Sequence, residues 1–163
     1  FPGTRFGQRC KIAAEMVTSG VPCPVIKISI GGFDTHNNQL NRHSRLLTEL
    51  ADGLAALRKA LIATGKWDHT LISTYSEFGR RARENGSEGT DHGTAAPHLL
   101  LGGNIKGGFS GRQPDLGKLV RDDLIHTTDY RRLYATIEQK WFGLKGRSEV
   151  SRGAKPLDVI RKG

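Results

Sequence analysis

The sequence predicts an α/β fold in which a parallel sheet carries flanking helices. The run at 25–30 alternates Ile with polar or smaller residues, as a strand does, and a second apolar, β-rich run follows at 70–75. Between them, from about 38 to 64, apolar residues recur at helical spacing. Strand, helix and strand in this order form a crossover unit, so the two strands are expected to be parallel.

The chain begins with a predicted amphipathic helix over 6–19, which Gly20 ends. Its apolar face is formed by Phe6, Cys10, Ala13 and Val17. Pro22 and Pro24 then favour the extended run at 25–30. The long helix that follows ends at Gly65, and its predicted apolar stripe comprises Leu40, Leu47, Leu50, Leu54, Leu57 and Leu61.

After the strand at 70–75, a polar, Gly-rich loop leads to a third apolar run at 98–101. Residues 102–117 are rich in Gly and predict irregular structure. Thr127 or Thr128 is expected to cap a last helix that ends at Gly143. The apolar face of that helix is predicted to be Tyr130, Leu133, Tyr134, Ile137 and Trp141.

One hundred and sixty-three residues suffice for one domain, predicted over 1–143 and followed by a loosely ordered basic tail at 144–163. The formal charge of +9 attracts anions, yet the sequence carries no nucleic-acid module and no run long enough for a membrane span. Cys10 fits a core position, and a Cys10–Cys23 bridge is left open. The basic excess of the tail is carried by Lys145, Arg147, Arg152, Lys155, Arg161 and Lys162.

Two loops hold the candidate metal ligands. Asp34 and His36 follow the first predicted strand, and carboxylate with imidazole suits zinc, manganese or iron. The alternative is a turn in which Asp34 caps the next helix and His36 lies in solvent. Asp91 and His92 lie in the second loop, and Glu77 follows the second strand directly. Parallel strands bring their carboxyl ends to one sheet edge, which favours a shared divalent ion.

Arginines accompany these ligands in the second loop. Arg80 and Arg81 would surround the site, and their guanidinium groups suit the oxygens of a phosphate or sulfate ester. Glu77 has its own alternative, an ion pair with Arg80 or Arg81. Arginines in a solvated loop need no function, so they are only supporting evidence for an anionic small-molecule partner.

The chain resembles the carboxyl-terminal part of the DUF1501 family, which is grouped with the alkaline phosphatase-like superfamily that includes sulfatases. The resemblance runs to about residue 143 and is carried by the segments Pro2-Gly3-Thr4-Arg5-Phe6-Gly7, Gly31-Gly32-Phe33-Asp34-Thr35-His36, Ser76-Glu77-Phe78-Gly79-Arg80, Gly89-Thr90-Asp91-His92-Gly93 and Thr127-Thr128-Asp129-Tyr130-Arg131. It implies a doubly wound α/β fold, of which this chain would be a fragment. It also implies a one- or two-metal site for phosphoryl or sulfuryl transfer.

By that resemblance, Asp34 and His36 correspond to a first ligand pair, Glu77 to a ligand after the next strand, and His92 to a later histidine. Phe78 stands where a second metal's histidine is usual. The nucleophile would lie in an amino-terminal remainder of the same protein, so these residues alone are expected to be inactive. Family members also tend to be exported with a Tat-type signal, which implies a periplasmic or exported protein.

The leading hypothesis is a metal-dependent hydrolase of phosphate or sulfate esters that uses zinc, with manganese as the alternative ion. Asp34, His36 and His92 would bind the ion, with Glu77 and Asp91 beside them. The competing hypothesis is a non-catalytic α/β domain with a structural metal or a binding role. Phe78 favours the second hypothesis, and the density of polar residues from 76 to 93 favours the first.

Overall fold

The computed structural model describes residues 1–145 and 148–161, so Arg147 and Lys162 of the predicted basic tail lie outside the described residues. The chain divides into two compact units, the first formed by Phe1–Thr70 with Arg83–Asp91 and the second by Leu71–Ala82 with His92–Gly163. Within the described ranges, no helix is both long enough and apolar enough to cross a membrane.

The first unit is built on two helices, α1 (Arg5–Thr18) and α2 (Gln39–Ala63), followed by a 3₁₀ turn at Trp67–His69. Thr4 caps α1 by accepting a hydrogen bond from the backbone of Gly7 at 3.1 Å. Both helices agree with the predicted segments to within about two residues, the usual scatter of helix ends.

The two helices pack through small residues. A Cβ at Gly53 would lie 2.6 Å from the Phe6 ring, so only glycine allows this approach. Cys10 is fully buried and Cys23 is half-buried, and both are free cysteines, so the two form no disulfide here. Burial raises the pKa of the Cys10 thiol to about 11, because the thiolate would lose its hydration. The core between the helices comprises Phe6, Cys10, Ala13, Ala14, Leu57 and Leu61.

Helix α2 begins without a side-chain cap. Asn38 adopts a left-handed conformation, and the loop at 83–91 supplies the acceptors instead. The backbone of Asn38 donates to the Ser87 carbonyl at 3.2 Å, and that of Gln39 donates to Glu88 at 2.8 Å. The alternative in which Asp34 caps this helix is therefore wrong, because the cap position is Asn38, and the start of α2 is held by the second loop.

Part of the predicted α2 stripe faces solvent. Leu40 is 83% exposed and Leu47 is 52% exposed, whereas Leu57 and Leu61 are buried. Helical spacing identifies one face of the helix, but burial also needs a neighbouring element along the whole length of that face. Only the carboxyl-terminal half of α2 buries leucines from this stripe.

The run at 25–30 shows the predicted alternation of burial. Ile26, Ile28 and Ile30 are half-buried, while the residues between them are exposed. The Arg9 side chain donates to the carbonyl and the hydroxyl of Ser29. No strand partner pairs with this run in the described part of the chain.

The second unit contains three short antiparallel pairs. Strand β1 (Ile72–Ser73) pairs with β4 (Leu100–Leu101), β2 (Gly79–Arg80) with β3 (His92–Gly93), and β5 (Leu119–Val120) with β6 (Asp123–Leu124). The runs predicted at 70–75 and 98–101 thus form strands, although each ladder is only two residues long. All strand pairs among the described residues are antiparallel. They show no parallel sheet, which therefore stays a prediction.

Helix α3 (Tyr130–Thr136) continues as a π-helical turn at Ile137–Trp141. Its cap is Asp129, which accepts from the backbone of Arg131 at 2.9 Å, and neither Thr127 nor Thr128 caps it. An aspartate offers the same acceptor one or two residues later, which explains the shifted start. Of the predicted apolar face, Tyr130 and Tyr134 are exposed, while Leu133, Ile137 and Trp141 are half-buried.

The segment predicted as a loose basic tail makes specific contacts over 148–161. Ser151 is fully buried and, with Ser148, donates to the Glu138 carboxylate. These hydrogen bonds lower the pKa of Glu138 below its usual value. Val159 is buried as well, and its carbonyl accepts from the backbone of Lys106 at 2.8 Å.

Candidate metal centre

The two loops that flank the start of α2 lie side by side in the first unit. The backbone of Thr90 donates to the Thr35 carbonyl at 3.3 Å, and the Asn85 side chain donates to the His36 carbonyl at 3.0 Å. A Cβ at Gly89 would lie 2.2 Å from the carbonyl carbon of His36, so the loops touch backbone to backbone there. Glycine at 89 is what allows this approach.

His36 lies between two carboxylates that are far apart in the sequence. Its Nε2 is 3.0 Å from Oδ1 of Asp34, and its Nδ1 is 3.3 Å from Oδ1 of Asp91. All three side chains are about half exposed, at 47% for His36, 56% for Asp34 and 54% for Asp91. The structure therefore brings three of the predicted ligands together at a surface that solvent can reach.

The two nitrogens of one imidazole point away from each other, so His36 can offer an ion only one of them. Two ligand atoms on a tetrahedral zinc, each at 2.0–2.1 Å, are about 3.3 Å apart. The spacing of His36 Nε2 and Asp34 Oδ1 is close to that value, and oxygen with imidazole nitrogen is a donor pair that zinc accepts. Asp91 then holds the opposite nitrogen, as the outer carboxylate does in many histidine metal sites.

The residue between the two ligands is locked in place. Thr35 is fully buried, and its hydroxyl lies 2.9 Å from Nε2 of His43 and 3.0 Å from Oε1 of Gln39. The same Gln39 oxygen accepts from the Thr90 hydroxyl at 2.7 Å. The network holds Thr35, which lies between Asp34 and His36 in the sequence, so it helps to position both ligands.

A hydroxyl beside an imidazole resembles a nucleophile with its general base, but Thr35 has no exposed surface from which to attack a substrate. The pair is therefore structural. The sequence analysis missed this network. His43 is half-buried, and its ring contacts Phe33 edge-on at 5.5 Å. The available signal was the four-residue spacing of Gln39 and His43, which places both on one face of α2.

The other predicted site residues belong to the second unit. In the β2–β3 pair Arg80 lies opposite His92, and the Phe78 ring stacks on the His92 ring with centroids 3.7 Å apart. The sequence did not reveal this contact, because it depends on the pairing of β2 with β3, which places Arg80 and its neighbours beside His92. Arg80 also lies over the Phe78 ring at 5.7 Å. Glu77 and Arg81 are exposed.

Comparisons with known proteins give one result. No curated protein and no solved structure matches the chain. Residues 2–152, nearly the whole chain, match the family DUF1501, which is described as a protein of unknown function. The match includes the loops that carry Asp34, His36 and Asp91. The chain therefore belongs to the DUF1501 family.

Proposed function

We propose that the protein is a metal-dependent hydrolase of phosphate or sulfate esters and that Asp34 and His36 bind its divalent ion. The observation that carries this proposal is the position of His36, with one nitrogen facing the Asp34 carboxylate and the other facing Asp91. The donor set favours zinc, with manganese as the alternative. Partial exposure leaves room for a substrate to approach.

In this proposal the side chains have separate tasks. Asp34 and His36 provide the ligand atoms, and Asp91 accepts a hydrogen bond from Nδ1–H, so that Nε2 keeps its lone pair for the ion. A bound divalent ion supplies Lewis-acid stabilisation of charge on the ester oxygen. On sequence grounds alone, Arg80 and Arg81 are proposed to neutralise the anionic ester. Glu77 and His92 remain proposed further ligands on sequence grounds alone.

The resemblance to the alkaline phosphatase-like superfamily supports the reaction class. Enzymes of that superfamily pair a metal site with a nucleophilic Ser or Thr from a segment nearer the amino terminus. The proposal therefore assigns metal binding to the loops at 34–36 and 91, and nucleophilic attack to another segment of the protein. Export of the protein belongs to the same proposal.

A non-catalytic domain with a structural ion is the second candidate function. The observation that favours it is the stacking of Phe78 on His92, which places an apolar ring beside a predicted ligand. Both candidates require the same metal ligands at Asp34 and His36. They differ in whether an ester is hydrolysed.

The deciding experiment is an assay of the intact protein with aryl phosphate and aryl sulfate substrates, with zinc or manganese added. Hydrolysis that Asp34→Asn reduces by about a hundredfold or more supports the hydrolase. Asp52→Asn is the matched control. It removes the same charge from an exposed position on α2, away from the proposed ligands. Metal binding without hydrolysis of either ester would leave the structural role as the better description.

A further inference from the structure

A cleft in the second unit brings basic side chains together without a role in the proposed metal site. Its volume is about 550 Å³, within the usual range for small-molecule sites. One wall is the start of α3, and the other is the segment 152–155. The lining consists of four basic residues, one acidic residue and two small ones: Arg131, Arg132, Arg152, Lys155, Asp129, Gly153 and Ala154.

Two hydrogen bonds fix the walls against each other. The Nε of Arg132 donates to the Lys155 carbonyl at 3.0 Å. One turn further along α3, the buried hydroxyl of Thr136 accepts from the backbone of Leu157 at 2.7 Å. The cleft is therefore built by specific contacts between α3 and the segment that follows it.

Two of the four basic side chains are already paired. Arg131 binds the Asp129 carboxylate through Nε and a terminal nitrogen, which lowers the pKa of Asp129 to about 2. Arg152 pairs with Glu149 outside the cleft. Both side chains are largely exposed, so this ion pair contributes little to stability.

No carboxylate pairs with the side chain of Arg132 or Lys155 in the described residues. Arg132 uses only its Nε for the structure, and in the described part of the chain no acceptor pairs with its terminal nitrogens or with the Lys155 ammonium group. Beyond the two ion pairs, the cleft therefore presents two positive charges with free donors on facing walls.

We infer that this cleft binds a small organic phosphate monoester through its phosphate group. A phosphate monoester carries a charge of about −1.5 to −2 at neutral pH, which matches two unpaired cations better than a sulfate ester or a carboxylate does. Guanidinium and ammonium donors on opposite walls suit phosphate oxygens. A bare phosphate would fill only a small part of the volume, so the organic group has room in the cleft.

The test is a titration of the protein with glucose 6-phosphate, glucose 6-sulfate and glucose, followed by amide chemical shifts in the presence of EDTA. The chelator removes any bound ion, so the result does not depend on the proposed metal site. We expect saturable one-to-one binding of glucose 6-phosphate, weaker binding of the sulfate and none of glucose. The largest shifts should fall on Gly153 and Ala154, which line the cleft.

Lys155→Gln should weaken glucose 6-phosphate binding by about tenfold or more, as expected for one charge-assisted hydrogen bond. Only the backbone of Lys155 holds the wall, so this substitution leaves the cleft intact. Lys118→Gln is the matched control, with the same charge change on a side chain that is 79% exposed and outside the cleft. Absence of binding, equal weakening by both substitutions, or equal affinity for the sulfate would overturn the inference.

Discussion

Replacing Gly89 by alanine tests whether the two loops of the metal centre depend on their close contact. The new Cβ would lie 2.2 Å from the carbonyl carbon of His36, 2.4 Å from its oxygen and 2.5 Å from the nitrogen of Asn37. All three are backbone atoms, so no flexible side chain can move aside, and the loops must separate. Overpacking of this kind costs about 2 kcal/mol, which lowers the Tm of a chain of this size by about 4–8 °C.

The same separation should weaken metal binding, because Asp91 is only two residues from the substituted position. Loss of its contact with His36 predicts a zinc affinity lower by about tenfold or more. Thermal unfolding and zinc titration measure the two effects. Gly86→Ala is the matched control in the same loop, since nothing lies within 4 Å of a Cβ there. If both substitutions gave the same Tm and the same zinc affinity, the loop contact could not be what holds the site.

Substitutions at two further positions test the packing beneath the site and the cap of α3. Thr35→Val should destabilise the protein by about 1–3 kcal/mol in urea unfolding, because it leaves His43 and Gln39 without their buried partner, whereas Thr35→Ser should restore most of the loss. Asp129 has its pKa lowered to about 2 by Arg131, so its contribution to stability is present above the unfolded value of 3.8 and is lost as pH falls through about 2. Asp129→Asn should therefore lower the Tm near neutral pH much more than at pH about 2, and equal losses at both pH values would show that the ion pair contributes nothing.

The helices were predictable because their signals are local. Spacing, the stop at Gly20 and the stop at Gly65 place α1 and α2 nearly where the structure has them. Partners distant in sequence were not predictable. The alternation at 25–30 identifies which residues are half-buried, but a strand also needs a neighbouring segment, and the sequence alone does not supply its position.

For the candidate site, too, the residue types were predictable from the sequence and the contacts between distant segments were not. The residue types of Asp34, His36 and Asp91 suggested metal binding, and the structure places all three together. Their arrangement was not visible in the sequence, since it depends on the backbone contacts of the loop at 83–91 with the start of α2. The parallel sheet, the superfamily placement and the roles of His92 and Glu77 remain predictions.

Zinc titration of metal-free protein by calorimetry tests the central claim most directly. We predict one ion per chain, with a Kd of about 1 μM or tighter, and near-complete loss of binding in Asp34→Asn and His36→Ala. Asp91→Asn should weaken binding by about 10–100-fold, as expected for a residue that orients a ligand. Asp52→Asn and His69→Ala remove the same groups from exposed positions and should bind zinc as the unmodified protein does. Zinc binding that survives both Asp34→Asn and His36→Ala would contradict the account.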